Sequence, residues 1–177
     1  CNLLNNYNVL VRPAAHIKMD EVICNERGIE LIRSFEGLHD GDKSTALLEP
    51  MLDPVGIWTL SYGSIYGLDG SRVTADHRAI TLAEAETLFL RDIQKTERRL
   101  IRLVGVNLHE NQWAAITSFA FNVGTGNFKA STLRSCLNRG AFERAADEFP
   151  KWTLARGRRL PGLIRRRAAE RALFLER

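Results

Sequence analysis

Ile29, Ile32 and Phe35 recur at helical spacing, with Asn25 in the position of an N-cap and Gly37 in that of a C-terminal stop, which predicts a first helix over about 25–37. After a polar stretch, residues 46–52 read as an outgoing strand that Pro50 marks as an edge or irregular one. Asp53-Pro54-Val55-Gly56 then places Pro at the second and Gly at the fourth position of a β-turn, with Asp capping the first. Beyond it Trp58, Leu60 and Tyr62 alternate with Ile57, Thr59 and Ser61, the period of a returning strand with one set on each face. The Asp69-Gly70 pair signals a third short strand or a tight loop over 64–71.

From Thr81 the period changes to that of helices. Thr81-Leu82-Ala83-Glu84 is a capping box. It opens a long helix whose apolar face is Leu82, Ala85, Phe89, Ile93, Leu100 and Val104 and whose Glu, Arg and Lys face is expected in solvent. Residues 112–122 carry few charges and many apolar side chains, the profile of a buried central helix ending near Gly124. Helices are further predicted over 131–139 and 141–149, and from about 162 to the end with Ile164, Ala168, Ala172 and Leu175 on one face. Residues 1–22 have no helical or strand period and read as a flexible tail, leaving a folded domain over 23–177. Within it, residues 23–38 form a helix, 39–80 a β-rich lobe and 81–177 a helical lobe.

With 177 residues and 45% apolar content, the chain buries a sizeable core as one domain, or as two lobes with a cleft between them. A net charge of +4 favours an anionic partner, and nucleic acid, anionic membrane and cell-wall polymer all qualify. Cys1, Cys24 and Cys136 are an odd number without ligand spacing, so free thiols are expected. His39, Asp40 and Asp42 crowd one loop without a partner cluster and read as solvated, so no metal is expected. No run of roughly 20 apolar residues is present to span a bilayer, and the start lacks the sections of a signal peptide.

Two carboxylates carry the chemistry. Glu36 sits in the last turn of its helix, where the negative end of the helix dipole and the neighbours Phe35 and Leu38 disfavour its ionised form. It is a candidate proton donor. Asp53, at a polar turn that keeps it near the Thr59 hydroxyl, is favoured as an anion. Opposite protonation preferences are the pattern of an acid and base pair.

These residues fall in a series of blocks that resembles the phage-type lysozymes, the bacteriophage endolysins of glycoside hydrolase family 24. The blocks run from Ser34-Phe35-Glu36-Gly37 through Asp53-Pro54-Val55-Gly56-Ile57-Trp58-Thr59 and Tyr62-Gly63 to Asn111-Gln112-Trp113-Ala114-Ala115. They continue through Ser118-Phe119-Ala120-Phe121-Asn122-Val123-Gly124, Ser131-Thr132-Leu133 and Phe149-Pro150-Lys151-Trp152, and end with Leu160-Pro161-Gly162-Leu163-Ile164 and the arginines after it. The resemblance implies a lysozyme-like α+β fold, with a small β-hairpin lobe, a larger helical lobe and the active-site cleft between them. It implies hydrolysis of the β-1,4 bond between N-acetylmuramic acid and N-acetylglucosamine in peptidoglycan, causing bacterial lysis. Glu36 would be the general acid, and Asp53 and Thr59 would hold and activate the water. Inversion, which the family is described as using, needs a wider carboxyl separation than the ~5 Å of a retaining pair. No cofactor is implied. Phe121, Asn122 and Thr132 match substrate-side positions, although core packing for Phe121 and helix capping for Thr132 are equally natural roles.

The chain departs from the family pattern at Ser61, where a Gly is usual, and at Ser64, where a His is usual. It is also longer between Glu36 and Asp53 than the shortest members. Arg156, Arg158, Arg159, Arg165, Arg166, Arg167 and Arg171 favour a rival reading as a nucleic-acid module, but no recognised motif accompanies them and Glu170 interrupts the run. Solvated surface or contact with anionic cell wall accounts for them. A lytic transglycosylase and a non-catalytic peptidoglycan-binding protein are the other rivals. The expected partner is therefore the peptidoglycan glycan strand, met by a monomer that binds no nucleic acid and has no stable membrane insertion. It would accumulate in the host bacterial cytoplasm before release to the cell wall.

Overall fold

Strand β1, Leu10–Val11, lies inside the segment expected as a tail and pairs antiparallel with residues 108 and 109. A computed structural model describes residues 10–11, 22–38 and 47–176, so residues 1–9 and 12–21 of that tail and the loop with His39, Asp40 and Asp42 fall outside the described residues. Helix α1, Glu26–Glu36, begins where Asn25 Oδ1 accepts from the Gly28 amide at 3.0 Å, satisfying one of the orphan donors of a helix start. It stops at Gly37, whose φ of +67° is the left-handed conformation that ends helices. Gly28 is needed for packing: a Cβ there would sit 2.4 Å from Cys24 Sγ and 2.6 Å from Ala114 Cβ. The chain divides into two compact units, residues 33–95 and residues 1–32 with 96–177.

In the unit of residues 33–95, the strand expected over 46–52 is broken by Glu49-Pro50 into β2, Leu47–Leu48, and β3, Met51–Leu52. Strand β3 pairs with β4, Trp58–Thr59, to make the hairpin, whereas β2 pairs with β5, Ile80–Thr81. Pro50 has no amide hydrogen for a ladder, so the chain changes partner there. The predicted alternation fails beyond β4: Thr59, Leu60 and Ser61 are buried in succession. The cause is a turn at Ser61, which adopts φ +59° while the Gly63 and Ser64 amides close on Leu60 O at 3.1 and 2.8 Å. A left-handed conformation costs a non-glycine residue roughly 1–2 kcal/mol. The Ser61 hydroxyl offsets part of it by donating to Ala85 O at 2.7 Å. Ser64 likewise donates to Asp92 Oδ2 at 2.6 Å, so both departures from the family pattern tie this turn to the next helix.

That helix, α2, Leu82–Leu100, opens with the predicted capping box: Thr81 N donates to Glu84 Oε2 at 2.9 Å and Glu84 N to Thr81 Oγ1 at 3.2 Å. Arg78, with Thr81, pushes the Glu84 carboxyl down to about 2. Ala85 and Leu88 join Leu48, Leu60, Val73 and Ile80 in the core of this unit, whereas Leu82, expected on the apolar face, is exposed.

In the unit of residues 1–32 and 96–177, the solvated face expected for α2 meets an exception. Glu97 is buried. Its Oε1 accepts from Cys24 N at 2.7 Å and Trp113 Nε1 at 2.9 Å, and its Oε2 from Ile23 N at 2.9 Å. The carboxyl is a socket for the chain entering α1. Burial raises its pKa above the ordinary Glu value, against those three bonds, which favour the anion. The folded chain therefore holds this proton more tightly than the unfolded one. The associated stability is fully present below the unfolded pKa near 4.5 and is lost as pH rises through the raised folded value. Glu97→Ala would orphan three donors, two of them buried, and is expected to cost at least about 2 kcal/mol. Urea unfolding should show that deficit widening as pH is lowered. A deficit under ~0.5 kcal/mol, or one independent of pH, would contradict the socket.

Strand β6, Leu108–His109, leads into α3, Glu110–Val123, buried without a break from Gln112 to Ala120 and closed by Gly124 at φ +86°. Then come α4, Thr125–Ala130, which periodicity did not predict, α5, Thr132–Asn138, α6, Phe142–Ala146, and a 3₁₀ turn, Phe149–Lys151. The hairpin of β7, Leu154–Ala155, and β8, Arg158–Arg159, precedes α7, Pro161–Leu175. Phe119 on α3 is the hub of the core, with ring centroids at 5.3 Å to Phe149, 5.4 Å to Trp152 and 6.4 Å to Phe128.

Helix α7 reverses its predicted orientation. Ile164, Ala168, Ala172 and Leu175 are exposed, while Arg166, Arg167, Glu170, Leu173 and Phe174 are buried. Glu170 Oε1 accepts from Ser118 Oγ at 2.8 Å, Arg166 Nε at 3.1 Å and Arg167 Nη2 at 3.1 Å. Arg167 Nε lies 2.9 Å from Oε2 as an ion pair, off the hydrogen-bond line, and the guanidinium stacks 4.9 Å from the Phe119 centroid. Arg166 and Arg167 are thus interior groups, not the solvated surface expected of them. Burial pushes the Glu170 carboxyl up, against Arg167 and Arg166, which pull it down.

Candidate functional site

Glu36 is the last residue of α1, and the helix end that carries it is held from one turn back. Arg33 Nη2 meets Glu86 Oε1 at 2.5 Å, and its guanidinium lies 5.5 Å from the Phe89 centroid. Phe89 is also covered by Tyr62 at 4.5 Å, so α1, α2 and the turn after β4 meet around one ring.

Asp53 begins the loop of the β3–β4 hairpin. The Gly56 amide donates to Asp53 O at 2.9 Å, and Gly56 has φ +83°, the turn predicted from Asp-Pro-Val-Gly. The side chain is part of the same turn: Oδ1 accepts from Val55 N at 2.9 Å and Ile57 N at 2.8 Å. Two bonds to one oxygen fix the plane of the carboxylate, and Oδ2 makes no hydrogen bond to the other described residues. Asp53 N also donates to Ile57 O at 2.8 Å, continuing the register Met51↔Thr59 and Leu52↔Trp58. Asp53 and Thr59 are therefore diagonal neighbours on one hairpin face, with backbones roughly 7–8 Å apart. The Thr59 hydroxyl donates to Met51 O at 3.2 Å.

Glu36, Asp53 and Thr59 belong to the unit of residues 33–95, whereas Phe121, Asn122 and Thr132 belong to the other unit. Phe121 and Asn122 close α3, Phe121 partly buried and Asn122 exposed. Arg167 Nη2 donates to Asn122 Oδ1 at 2.9 Å, which orients the amide so that its NH₂ points away from the guanidinium. Nothing in the sequence signals this pairing across 45 positions. Thr132 is exposed and does not cap its helix; Ser131 does, accepting from Arg134 N at 3.1 Å. Trp113 is wholly buried against Glu97.

A cavity of about 310 Å³ opens between Asp69, Ser71, Asp76, His77 and Arg78, and it touches none of Glu36, Asp53 and Thr59. Among the described residues no group of His, Cys, Asp and Glu is placed to hold a metal ion, and no helix is long and apolar enough to cross a membrane. Cys24 and Cys136 are free and buried. Burial, with the Glu97 carboxylate adding to it, pushes the Cys24 thiol well above its ordinary value, so it stays protonated and unreactive.

The sequence model of the phage lysozyme family matches residues 35–170. An endolysin of Bacillus phage B103 is 38% identical over 151 residues, covering 85% of this chain and 53% of that protein. The chain thus spans about half the length of that relative. An endolysin of Acyrthosiphon pisum secondary endosymbiont phage 1 is 39% identical over 154 residues, covering 85% of this chain and 96% of that one. Among solved structures, a mutant of P22 lysozyme superposes with a TM-score of 0.72 at 32% identity, over 86% of this chain and 97% of that one. The muramidase domain of SpmX from Asticaccaulis excentricus superposes with a TM-score of 0.68 at 33% identity, over 87% and 98%.

Proposed function

This chain belongs to the phage lysozyme family, and from that premise we propose that it hydrolyses the β-1,4 bond between N-acetylmuramic acid and N-acetylglucosamine in peptidoglycan. Glu36 donates a proton to the glycosidic oxygen as the bond to the anomeric carbon breaks. A water attacks that carbon from the opposite face, and Asp53 takes the proton the water gives up. Thr59 accepts a hydrogen bond from the water's other O–H, whose hydrogen stays on the oxygen and becomes that of the product hydroxyl. Phe121, Asn122 and Thr132 contact the glycan. The reaction needs no cofactor, since two carboxyl groups and a water balance it.

The observation that carries this reading is the doubly anchored Asp53 carboxylate on the hairpin face that also bears Thr59. A water donating one hydrogen to Asp53 Oδ2 and the other to Thr59 Oγ1 has a lone pair left for attack. The hydroxyl's own hydrogen is engaged with Met51 O, so Thr59 is biased to accept. Here a catalytic water has two acceptors and a fixed direction, the preorganisation that lowers a barrier.

Mass analysis of digested sacculi, wild type beside Asp53→Asn, tests it. Wild type is expected to release fragments with reducing muramic acid ends. Asp53→Asn is expected to fold, because an amide Oδ1 can accept the same two backbone bonds, yet to lose about 10²- to 10⁴-fold in rate. Anhydro-muramic ends, with Asp53→Asn still active, would make the protein a lytic transglycosylase.

A further inference from the structure

Helix α7 spends its inner face on charge and its outer face on apolar side chains. Ile164 and Leu175 are 45% and 43% exposed, with Ala168 and Ala172 on the same line, and Leu160 at the N-cap and Leu154 in the β7–β8 hairpin extend it at 41% and 61%. A solvent-facing helix line is ordinarily polar, and a contiguous apolar one marks a contact surface. Within this unit the inner face is already filled by the Arg166, Arg167 and Glu170 cluster, so the outer line has no packing role there.

Along the β7–β8 hairpin and the start of α7 the charge has one sign. Arg156, Arg158, Arg159 and Arg165 are all exposed, and none of their side chains has an ion pair or hydrogen bond among the described residues. No Asp or Glu occurs in the sequence between Glu148 and Glu170. Four guanidinium groups uncompensated among the described residues call for an anionic partner, and three large apolar side chains in the same segment call for one with a hydrophobic layer.

We propose that the β7–β8 hairpin and the start of α7 form a docking surface for an anionic lipid bilayer. A hydrophilic polyanion would meet the arginines but offer nothing to Leu154, Leu160 and Ile164. A second copy of this chain would cover the apolar line but bring the same arginines against one another. The interface of an anionic membrane supplies phosphates and an acyl boundary a few ångströms apart, which matches a basic surface with apolar side chains among its arginines. Docking is peripheral, since no described helix is long and apolar enough to cross.

Co-sedimentation with vesicles of phosphatidylcholine alone, and of phosphatidylcholine with phosphatidylglycerol, tests the surface. The chain is expected to pellet with the anionic vesicles only, and less so as salt is raised. Replacing both arginines in Arg158→Ser/Arg159→Ser is expected to weaken binding by about 25-fold, roughly fivefold for each arginine. Leu154→Ser/Ile164→Ser is expected to weaken it as well, while leaving binding to soluble dextran sulfate unchanged. Equal pelleting with both vesicles, no pelleting with either, or a leucine and isoleucine variant that binds anionic vesicles like wild type would overturn the proposal. All four positions are exposed, so circular dichroism should report an unchanged fold. The vesicles contain no cell wall, and the outcome is independent of whether the protein is a hydrolase.

Discussion

Glu36→Gln is expected to abolish clearing of purified peptidoglycan, with a loss of about 10²- to 10⁴-fold in rate, while leaving the protein folded and able to pellet with sacculi. Glutamine keeps the length of the side chain and its place at the last residue of α1; what it lacks is a proton to give. The glycosidic oxygen is a poor leaving group unless protonated as the bond breaks, so the loss should appear in kcat with little change in KM. The Arg33 clamp to Glu86 and Phe89, one turn away, remains in place to hold the helix end, and urea unfolding should change by less than ~1 kcal/mol. A Glu36→Gln protein that still clears at more than a tenth of the wild-type rate would remove Glu36 from the role of acid.

The largest effect on stability is expected at Glu170. Replacing it with alanine leaves Arg166 and Arg167 buried without their shared carboxylate and takes the acceptor from Ser118. Removing one partner of a buried ion cluster typically costs about 3–5 kcal/mol, because the remaining charge keeps its desolvation penalty. That is roughly a fifth or more of the stability of a domain of ordinary robustness, so Glu170→Ala should unfold at much lower urea. A three-residue replacement, Arg166→Met with Arg167→Leu and Glu170→Leu, is expected to recover most of the loss, since apolar residues of similar volume satisfy such sites. If Glu170→Ala costs less than ~1 kcal/mol, the cluster is solvated in solution and α7 is packed differently. Recovery by the apolar triple would also separate folding from function, because Asn122 would then have lost its donor Arg167.

What could be read from sequence was the part set by neighbours in the chain. The Thr81 to Glu84 capping box, the Asp-Pro-Val-Gly turn and the Gly stops of α1 and α3 were legible, because each is a hydrogen bond or a φ angle decided within four residues. The placement of Glu36 at a helix end and of Asp53 and Thr59 on a hairpin was legible for the same reason. The long uncharged run of α3 likewise left one environment open to it, a core.

Periodicity failed where charge is buried. On α7 it selected Ile164, Ala168, Ala172 and Leu175 as the inner face, and the helix turned the other way. The enthalpy of three charged groups meeting Ser118 and Phe119 is invisible to a hydrophobic pattern. Glu97 escaped by the same route, reading as one more acid on a polar face until Ile23, Cys24 and Trp113 are brought to it. The strand after Thr59 failed differently. Alternation presumes a straight chain, and nothing in the letters Leu-Ser-Tyr-Gly announces that Ser61 turns left-handed.

On the proposed mechanism Asp53 answers to two masters, a turn that needs an acceptor and a water that needs a base. One oxygen of the carboxylate is occupied by Val55 and Ile57. A library randomised at this codon and sorted only for folded protein would accept any short acceptor, asparagine and serine among them. Sorted for lysis, the same library would collapse to a single letter. The gap between the two alphabets is a property of the position itself, written in the difference between what folding tolerates and what chemistry demands.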